Sequence, residues 1–191
     1  PPPLPPPPRP HPPPAPPPAR PPPPPPPLAP PAPGPPTPIP RLFCARVASD
    51  GCDIVPGLSS FFTTCRAENI PCCAVSNAQR GGCEAVLRHV KAHCPDAPTA
   101  IRDLVVGAEC ARAKPHPDPY LEGASRVGLP PSRCIVFEDS RTGIKAGVAA
   151  GCIVVGLTTS MTASAMREAG CAATVRDWSE VTVEFLQGLL A

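Results

Sequence analysis

The sequence predicts an α/β domain, a parallel sheet with helices on both faces, preceded by a disordered proline-rich tail. From residue 54 onward, short apolar runs alternate with helical patterns, which is typical of parallel strands joined by crossover helices. The chain of 191 residues contains 37 prolines, and 28 of them lie in residues 1–40. A segment with so few amide donors and so little apolar area cannot form a packed core. We therefore expect a tail at residues 1–40 and one folded domain at residues 41–191.

Five short apolar runs are the expected strands of this domain. They are separated by longer helical patterns, as in repeated β-α-β units. The runs lie at residues 72–76, 104–106, 134–138, 153–156 and 173–175. In an open parallel sheet, ligands bind beyond the carboxyl ends of the strands. The polar residues that follow these runs are therefore the candidate site residues.

The helical patterns around these strands lie at about residues 58–68, 78–93, 117–128, 142–150 and 179–190. The first follows a proline–glycine pair and places two phenylalanines and Cys65 on one face. The third has aspartate and proline in its first turn and ends at a glycine. The fourth carries Gly143, Gly147 and Gly151, and small residues at this spacing let a helix lie close against a sheet.

The charge balance indicates a neutral domain. The chain has 17 basic and 15 acidic residues, and the tail contributes Arg9 and Arg20 without an acid. Residues 41–191 therefore carry 15 charges of each sign. A neutral domain has little electrostatic attraction for nucleic acid or an anionic membrane, and no apolar run approaches the roughly 18 residues of a membrane span. We expect neither nucleic acid nor a membrane as a partner.

The cysteines do not form the pattern of a disulfide framework or a zinc site. There are 11 of them, an odd number, and no C-x-x-C pair occurs. Several, such as Cys72 and Cys134, lie in apolar runs, where cysteine behaves as a small buried hydrophobe. We therefore expect an intracellular, reducing compartment, the cytoplasm or a plastid.

Polar side chains follow three of the expected strands. Ser76 and Asn77 end the first strand, Lys114 lies in the loop after the second, and Glu138 and Asp139 end the third. A hydroxyl and an ammonium can hold a phosphate, and adjacent carboxylates can hold a divalent cation beside it. Mg²⁺ is the expected metal, because it prefers oxygen ligands and neither cysteine nor histidine adjoins the two acids. This combination is typical of phosphoryl-transfer sites, where fixed cations stabilise the charge of the phosphate.

Three stretches of sequence carry a resemblance to a known family. They are VSNAQR at residues 75–80, KPHPDPYL at residues 114–121 and CIVFEDSRTGIKAGVAAG at residues 134–151. With them, residues 53–190 resemble the haloacid dehalogenase (HAD) superfamily, in particular its beta-phosphoglucomutase-like enzymes and plant small phosphatases that act on glycerol phosphate or sugar phosphates. The resemblance implies a Rossmann-like, HAD-type sheet and an enzyme, a Mg²⁺-dependent phosphatase of small phosphorylated metabolites.

The same resemblance implies a role for each candidate residue. Ser76 corresponds to the phosphate-binding hydroxyl of the family, and Asn77 beside it is the further expected phosphate-binding residue. Lys114 corresponds to the catalytic lysine, which neutralises the phosphate and orients the nucleophile. Asp139 corresponds to the direct Mg²⁺ ligand, and Glu138 to a secondary or outer-sphere ligand.

The sequence departs from the family at its first motif. The family's reaction begins with an aspartate in an N-terminal D-x-D-G strand end, which attacks phosphorus, and this motif is absent here. The nearest string, Ser49-Asp50-Gly51, places Ala48 where the nucleophile would stand. We therefore expect a partial HAD-like domain without the cap and without the nucleophile strand, which would lie between the first and third expected strands. Two hypotheses follow: a longer product supplies these elements, or the chain is a degenerate relative with little activity.

The proline-rich tail supports an alternative hypothesis, a non-catalytic binding or scaffold protein. Proline runs form polyproline II, which is recognised by the aromatic-lined grooves of SH3, WW and profilin-type domains. Arg20 followed by prolines at positions 23 and 26 matches a basic residue followed by PxxP. The partner would then be a polyproline-binding domain, although any proline run contains PxxP and a neutral spacer has the same composition.

Overall fold

The structure is a computed structural model in which residues 51–191 are described. The expected tail at residues 1–40, and residues 41–50 of the expected domain, lie outside the described residues. The boundary between tail and domain and the polyproline-binding partner therefore stay predictions.

Residues 51–191 form seven α-helices, five strands and three short 3-10 helices. The α-helices are α1 Leu58–Ala67, α2 Arg80–His93, α3 Ala97–Ala100, α4 Asp118–Val127, α5 Arg141–Ala149, α6 Ala163–Glu168 and α7 Val183–Leu190. The strands are β1 Cys72–Ser76, β2 Ile101–Val106, β3 Ile135–Glu138, β4 Ile153–Leu157 and β5 Ala173–Val175. The 3-10 helices are Gly107–Glu109, Pro131–Arg133 and Trp178–Glu180. The predicted α/β class is confirmed, and no helix in this part of the chain is long and apolar enough to cross a membrane.

The structure adds two short helices, α3 and α6, to the expected elements. They have only four and six residues, too few to show a helical period in the sequence. α6 is fixed instead by Thr162, whose hydroxyl accepts a hydrogen bond from the backbone N–H of Ala165. β2 begins three residues before the expected 104–106, because its first half carries the polar residues Arg102 and Asp103 and does not form an apolar run.

The strands pair in two parallel sheets. β1 pairs with β2, and in the second sheet β4 lies between β3 and β5. Because all pairs are parallel, the carboxyl ends of the strands lie at one edge of each sheet. No strand among residues 51–191 joins β1 to β3. This interruption between the sheets lies where the resemblance places a missing strand.

Helices cover both faces of the strands. On β4, Val154 belongs to one buried cluster and Val155 to the other, because successive side chains of a strand point to opposite faces. The first cluster, which contains Val155, includes side chains of α1 and α7, and the second, which contains Val154, includes side chains of α4, α5 and α6. Burying each valine contributes roughly 1.5–3 kcal/mol. Both predicted helical layers are therefore present.

Apolar packing extends across the interruption between the sheets. The first cluster includes Ala74 from β1 and Phe137 from β3. Phe61 from α1 contacts Phe137 with ring centroids 5.7 Å apart, and Trp178 contacts the same ring at 4.6 Å. Such aromatic pairs contribute roughly 0.5–1.5 kcal/mol beyond the area they bury. Side-chain packing, without strand hydrogen bonds, thus connects these parts of the two sheets.

Glycines let α5 lie close to the second sheet. A Cβ on Gly147 would lie 2.8 Å from Cγ2 of Val154. A Cβ on Gly143 would overlap the carboxyl group of Glu138. The predicted close approach holds for these two glycines. Gly151 differs, because it has open space around it and follows the helix with a left-handed φ of 77°.

Candidate functional site

A cavity of about 500 Å³ lies at the carboxyl ends of β1 and β3. Apolar residues form part of its wall: Val55, Val75, Phe137, Leu157 and Trp178. The candidate residues form much of the polar lining: Ser76, Asn77, Lys114, Glu138 and Asp139. The structure therefore brings all of the candidates to one cavity, as the strand-end argument predicts.

Lys114 spans the interruption between the sheets at this cavity. Its Nζ donates hydrogen bonds to the backbone oxygen of Val75 at 3.0 Å, to the hydroxyl oxygen of Tyr120 at 2.9 Å and to Oε1 of Glu138 at 2.5 Å. The side chain is only 6% exposed. Because Val75 lies on β1 and Glu138 on β3, the ammonium links one sheet to the other. A phosphate oxygen in the cavity would share or replace one of these N–H contacts.

Glu138 is the buried partner of Lys114, and both of its carboxylate oxygens are occupied. Oε1 accepts hydrogen bonds from Lys114 and Tyr120, and Oε2 accepts them from the hydroxyl and the backbone N–H of Ser140 at 2.9 and 3.3 Å. Burial would raise the pKa of Glu138, but the Lys114 ammonium and these hydrogen bonds outweigh it and lower the pKa. Glu138 is therefore ionised and has little capacity left to bind a metal directly.

Tyr120 completes this polar cluster, and sequence reasoning did not single it out. Burial and the adjacent Glu138 carboxylate raise the pKa of the Tyr120 phenol, so the hydroxyl stays protonated. It can then donate to Glu138 while it accepts from Lys114. The only sequence signal is its place six residues after Lys114 in KPHPDPYL, and because Lys114 lies in a loop and Tyr120 in a helix, no single helix or strand period relates them.

Asn77 holds the backbone of Lys114. Its Nδ2 donates to the carbonyl oxygen of Lys114 at 3.1 Å, and its Oδ1 accepts from the N–H of Lys114 at 3.2 Å. A Cβ on Gly107 would lie 2.1 Å from Oδ1 of Asn77, so the loop after β2 has no room for a side chain there. Asn77 therefore fixes the loop that carries Lys114 against the end of β1.

Ser76 ends β1 with its side chain on the cavity. Its Oγ accepts a hydrogen bond from the backbone N–H of Ala78 at 3.1 Å. A hydroxyl that accepts in this way still has its own hydrogen to donate. Ser76 is half-buried and lines the cavity, so a phosphate oxygen there is a suitable acceptor.

Asp139 is the exposed carboxylate of the site. Its Oδ2 accepts hydrogen bonds from the hydroxyls of Ser160 at 2.8 Å and Thr159 at 3.5 Å. Both hydroxyls belong to the loop after β4, and no sequence motif singled out Ser160. They orient the carboxylate, which leaves Oδ1 as the oxygen that could bind a cation.

Two carboxylates at the cavity are the described groups that could hold Mg²⁺. In residues 51–191, no three histidine, cysteine, aspartate or glutamate side chains are grouped to hold a metal ion. Proteins often bind Mg²⁺ through one or two carboxylates, together with waters and the phosphate of a ligand. Asp139 can provide such a carboxylate, whereas Glu138 is committed to Lys114. The donor set thus fits Mg²⁺ when a phosphate is bound beside it.

Comparisons with known proteins identify the family of this chain. The model of the haloacid dehalogenase-like hydrolase family matches residues 31–151. Glycerol-1-phosphate phosphohydrolase 1 from Saccharomyces cerevisiae is 36% identical over 87 residues, which are 42% of this chain and 35% of the relative. Hexitol phosphatase A from Escherichia coli is 34% identical over 107 residues, which are 56% of this chain and 47% of the relative. The chain thus spans less than half the length of these two relatives.

A solved structure shows a similar fold. It is a HAD family hydrolase from Deinococcus radiodurans with bound phosphate and sodium, 30% identical to this chain with a TM-score of 0.60. The match covers 71% of this chain and 61% of that protein. Since the family model also matches more than half of the residues, the chain belongs to the haloacid dehalogenase-like hydrolases.

Proposed function

We propose that the cavity binds the phosphate group of a small phosphorylated metabolite, such as a sugar phosphate or glycerol phosphate, as the binding part of a Mg²⁺-dependent phosphatase site. The observation that carries the proposal is the Lys114 ammonium, held between the two sheets in a cavity that also presents Ser76 and Asp139. Phosphoryl transfer depends on fixed cations and donors of this kind. Asn77 contributes by fixing the loop that carries the lysine.

The charges of the cavity support a requirement for a metal ion. Among the residues that line it, Lys114 is positive, and Glu138 and Asp139 are negative, so the net charge is −1. A phosphate dianion would be repelled by such a site. Asp139 is the residue that would hold Mg²⁺, because its carboxylate is exposed and oriented by Ser160. When bound, Mg²⁺ supplies the positive charge that offsets the charge of the phosphate.

The relatives support the class of ligand. By name, the yeast relative is a glycerol-1-phosphate phosphohydrolase and the Escherichia coli relative is a hexitol phosphatase. The Deinococcus radiodurans relative holds a bound phosphate. A phosphate ester of a small polyol or sugar is therefore the ligand that we propose for the cavity of this chain.

We also propose that the 191 residues on their own bind such a ligand without hydrolysing it at an enzymatic rate. The sequence contains no D-x-D-G motif. Of the two carboxylates that line the described cavity, Glu138 is paired with Lys114 and Asp139 is placed to hold the metal. The family's reaction, which begins with attack by an aspartate on phosphorus, needs a further carboxylate that faces the phosphate. The described residues therefore supply the binding groups of the reaction but no nucleophile.

Calorimetric titration of the full chain with orthophosphate, with and without Mg²⁺, tests the binding proposal. We expect Mg²⁺ to strengthen binding by about tenfold or more, because it reverses the charge of the site. Asp139→Asn should abolish this effect of Mg²⁺, and Ser76→Ala should weaken binding several-fold. Asp118→Asn is the matched control, because Asp118 pairs with Arg112 away from the cavity. If orthophosphate does not bind in the presence of Mg²⁺, the assignment of the cavity is wrong.

An assay of phosphate release from glycerol phosphate and sugar phosphates tests the proposal that the 191 residues do not hydrolyse the ligand. We expect the chain with Mg²⁺ to release no more phosphate than the Asp139→Asn variant. Rapid turnover that Asp139→Asn abolishes, and that Asp50→Asn leaves unchanged, would show that a nucleophile is present. That result would contradict the proposal that the chain alone is inactive.

A further inference from the structure

Tyr120 belongs to a buried helix face beside the cavity. It lies on α4, and its ring packs in the second buried cluster with Val136, Ile144 and Met166. The residue is only 7% exposed. Because α4 packs against β1 and β2, this cluster holds the ring in a fixed place next to the interruption between the sheets.

Both hydrogen bonds of the Tyr120 hydroxyl end at charged groups of the cavity. The hydroxyl accepts from Nζ of Lys114 at 2.9 Å and donates to Oε1 of Glu138. Nζ also lies 4.6 Å from the centroid of the Tyr120 ring. Because Lys114 donates directly to Glu138 as well, the three side chains form a closed ring of hydrogen bonds.

The hydroxyl of Tyr120 has a role distinct from that of its ring. The ring fills the second cluster, and a phenylalanine ring would fill it equally well. The hydroxyl makes its hydrogen bonds to Lys114 and Glu138, which line the cavity, so it serves the charged pair and adds little to the apolar core.

We propose that Tyr120 is a positioning residue that fixes the Lys114 ammonium at the cavity. A lysine ammonium is a compact charge on a flexible stem, and one ion pair does not set the direction of its N–H bonds. Val75 and Glu138 accept two of these bonds, and the Tyr120 hydroxyl accepts the third. The effect of Tyr120 on ligand binding rests on the proposed function, but the position of the ammonium does not.

NMR spectroscopy of the Lys114 ammonium tests the positioning directly. In the full chain labelled with ¹⁵N-lysine, we expect a slowly exchanging NH₃⁺ signal that disappears in Lys114→Arg, which assigns it. Tyr120→Phe keeps the ring and should broaden or remove this signal while the protein stays folded, as judged by its thermal unfolding. An unchanged signal in Tyr120→Phe, or no protected Lys114 signal in the unaltered chain, would overturn the proposal.

Titration with orthophosphate and Mg²⁺ tests the consequence for binding. We expect Tyr120→Phe to weaken binding by about tenfold, because the ammonium loses a fixed orientation. Leu121→Ala is the control on the same helix, because Leu121 is 44% exposed and should not change the affinity. Equal affinity of Tyr120→Phe and the unaltered chain would overturn the role in binding. If the unaltered chain does not bind orthophosphate, the proposed function fails, and the NMR result alone decides the role of Tyr120.

Discussion

β1 and β3 end at the same cavity, but the two strands are buried to different extents. All five residues of β1 are half-buried, and among the described residues β1 pairs only with β2. In the second sheet, Val136, Val154 and Val155 are buried between helices on both faces. The acidic residues of the site thus lie at the end of a strand, β3, whose sheet is packed between helices. The position of Ser76, at the end of β1, depends more on side-chain contacts across the interruption between the sheets. Lys114 is the polar part of those contacts.

The largest effect is expected from breaking the polar link between the two sheets. Lys114→Met should lower the free energy of unfolding by about 3–5 kcal/mol, because it leaves the Glu138 carboxylate buried without a cation. Adding Glu138→Gln to this variant should recover most of the loss. Urea unfolding of the single and double variants measures both effects. A loss below about 1 kcal/mol in Lys114→Met would show that the pair does not link the sheets.

A matched pair of glycine variants compares the packing at β1 with the packing of the second sheet. A Cβ on Gly147 would lie 2.8 Å from Val154 in the second sheet, and a Cβ on Gly123 would lie 3.1 Å from Val75 on β1. Gly147→Ala should cost about 1–3 kcal/mol by overpacking. Gly123→Ala should be nearly neutral, because Val75 is half-buried and can move, and because alanine favours the helix by up to about 1 kcal/mol. Thermal unfolding measures both, and equal costs would contradict the difference in packing.

A smaller effect is expected from Asn77, which joins the end of β1 to the loop that carries Lys114. Asn77→Ala removes two hydrogen bonds to the backbone of Lys114 and should cost about 1–2 kcal/mol of stability. Gln79→Ala is the control, because Gln79 is exposed and its side chain makes no capping bond to α2. Chemical unfolding of the two variants makes the comparison. If the two variants lose the same stability, the hydrogen bonds of Asn77 to the Lys114 backbone do not stabilise the fold.

The smallest effect is expected from an exposed ion pair on β2. Hydrogen bonds from the Arg126 guanidinium and the Leu104 backbone N–H lower the pKa of the Asp103 carboxyl. A carboxyl with a lowered pKa in the folded state stabilises the fold above its unfolded pKa, and this contribution is lost as the pH falls. Asp103→Asn should therefore lose slightly less stability than the unaltered chain between about pH 5 and pH 3. Melting temperatures across this range provide the test, and identical acid sensitivity would show that the pair has no effect.

Much of the site could be predicted from the sequence, because it follows from strand direction. Parallel strands place their carboxyl ends at one edge, so the polar residues after each apolar run were expected to meet. Ser76, Lys114 and Asp139 do line one cavity. The interruption between β1 and β3 was also expected, since the sequence lacks the motif that ends the family's first strand.

Other features of the site could not be predicted, because they depend on how loops return to the strands. Asn77 was expected to bind phosphate, and that its amide is also bonded to the backbone of Lys114 depends on the path of the loop, which the sequence does not show. Tyr120 meets Lys114 because of the path of the segment between them, which has no regular period. Ser160 reaches Asp139 from a loop after β4 for which the sequence predicts no contact.

A crystal structure of the full chain with Mg²⁺ and tungstate tests the central claim most directly, since tungstate mimics phosphate and its tungsten atom is located by anomalous scattering. The account predicts one tungstate in the cavity at the ends of β1 and β3, within hydrogen-bond distance of Ser76 Oγ and Lys114 Nζ, with Mg²⁺ at Asp139. A tungstate bound elsewhere on the protein, or an empty cavity with these three side chains turned to different faces, would contradict it.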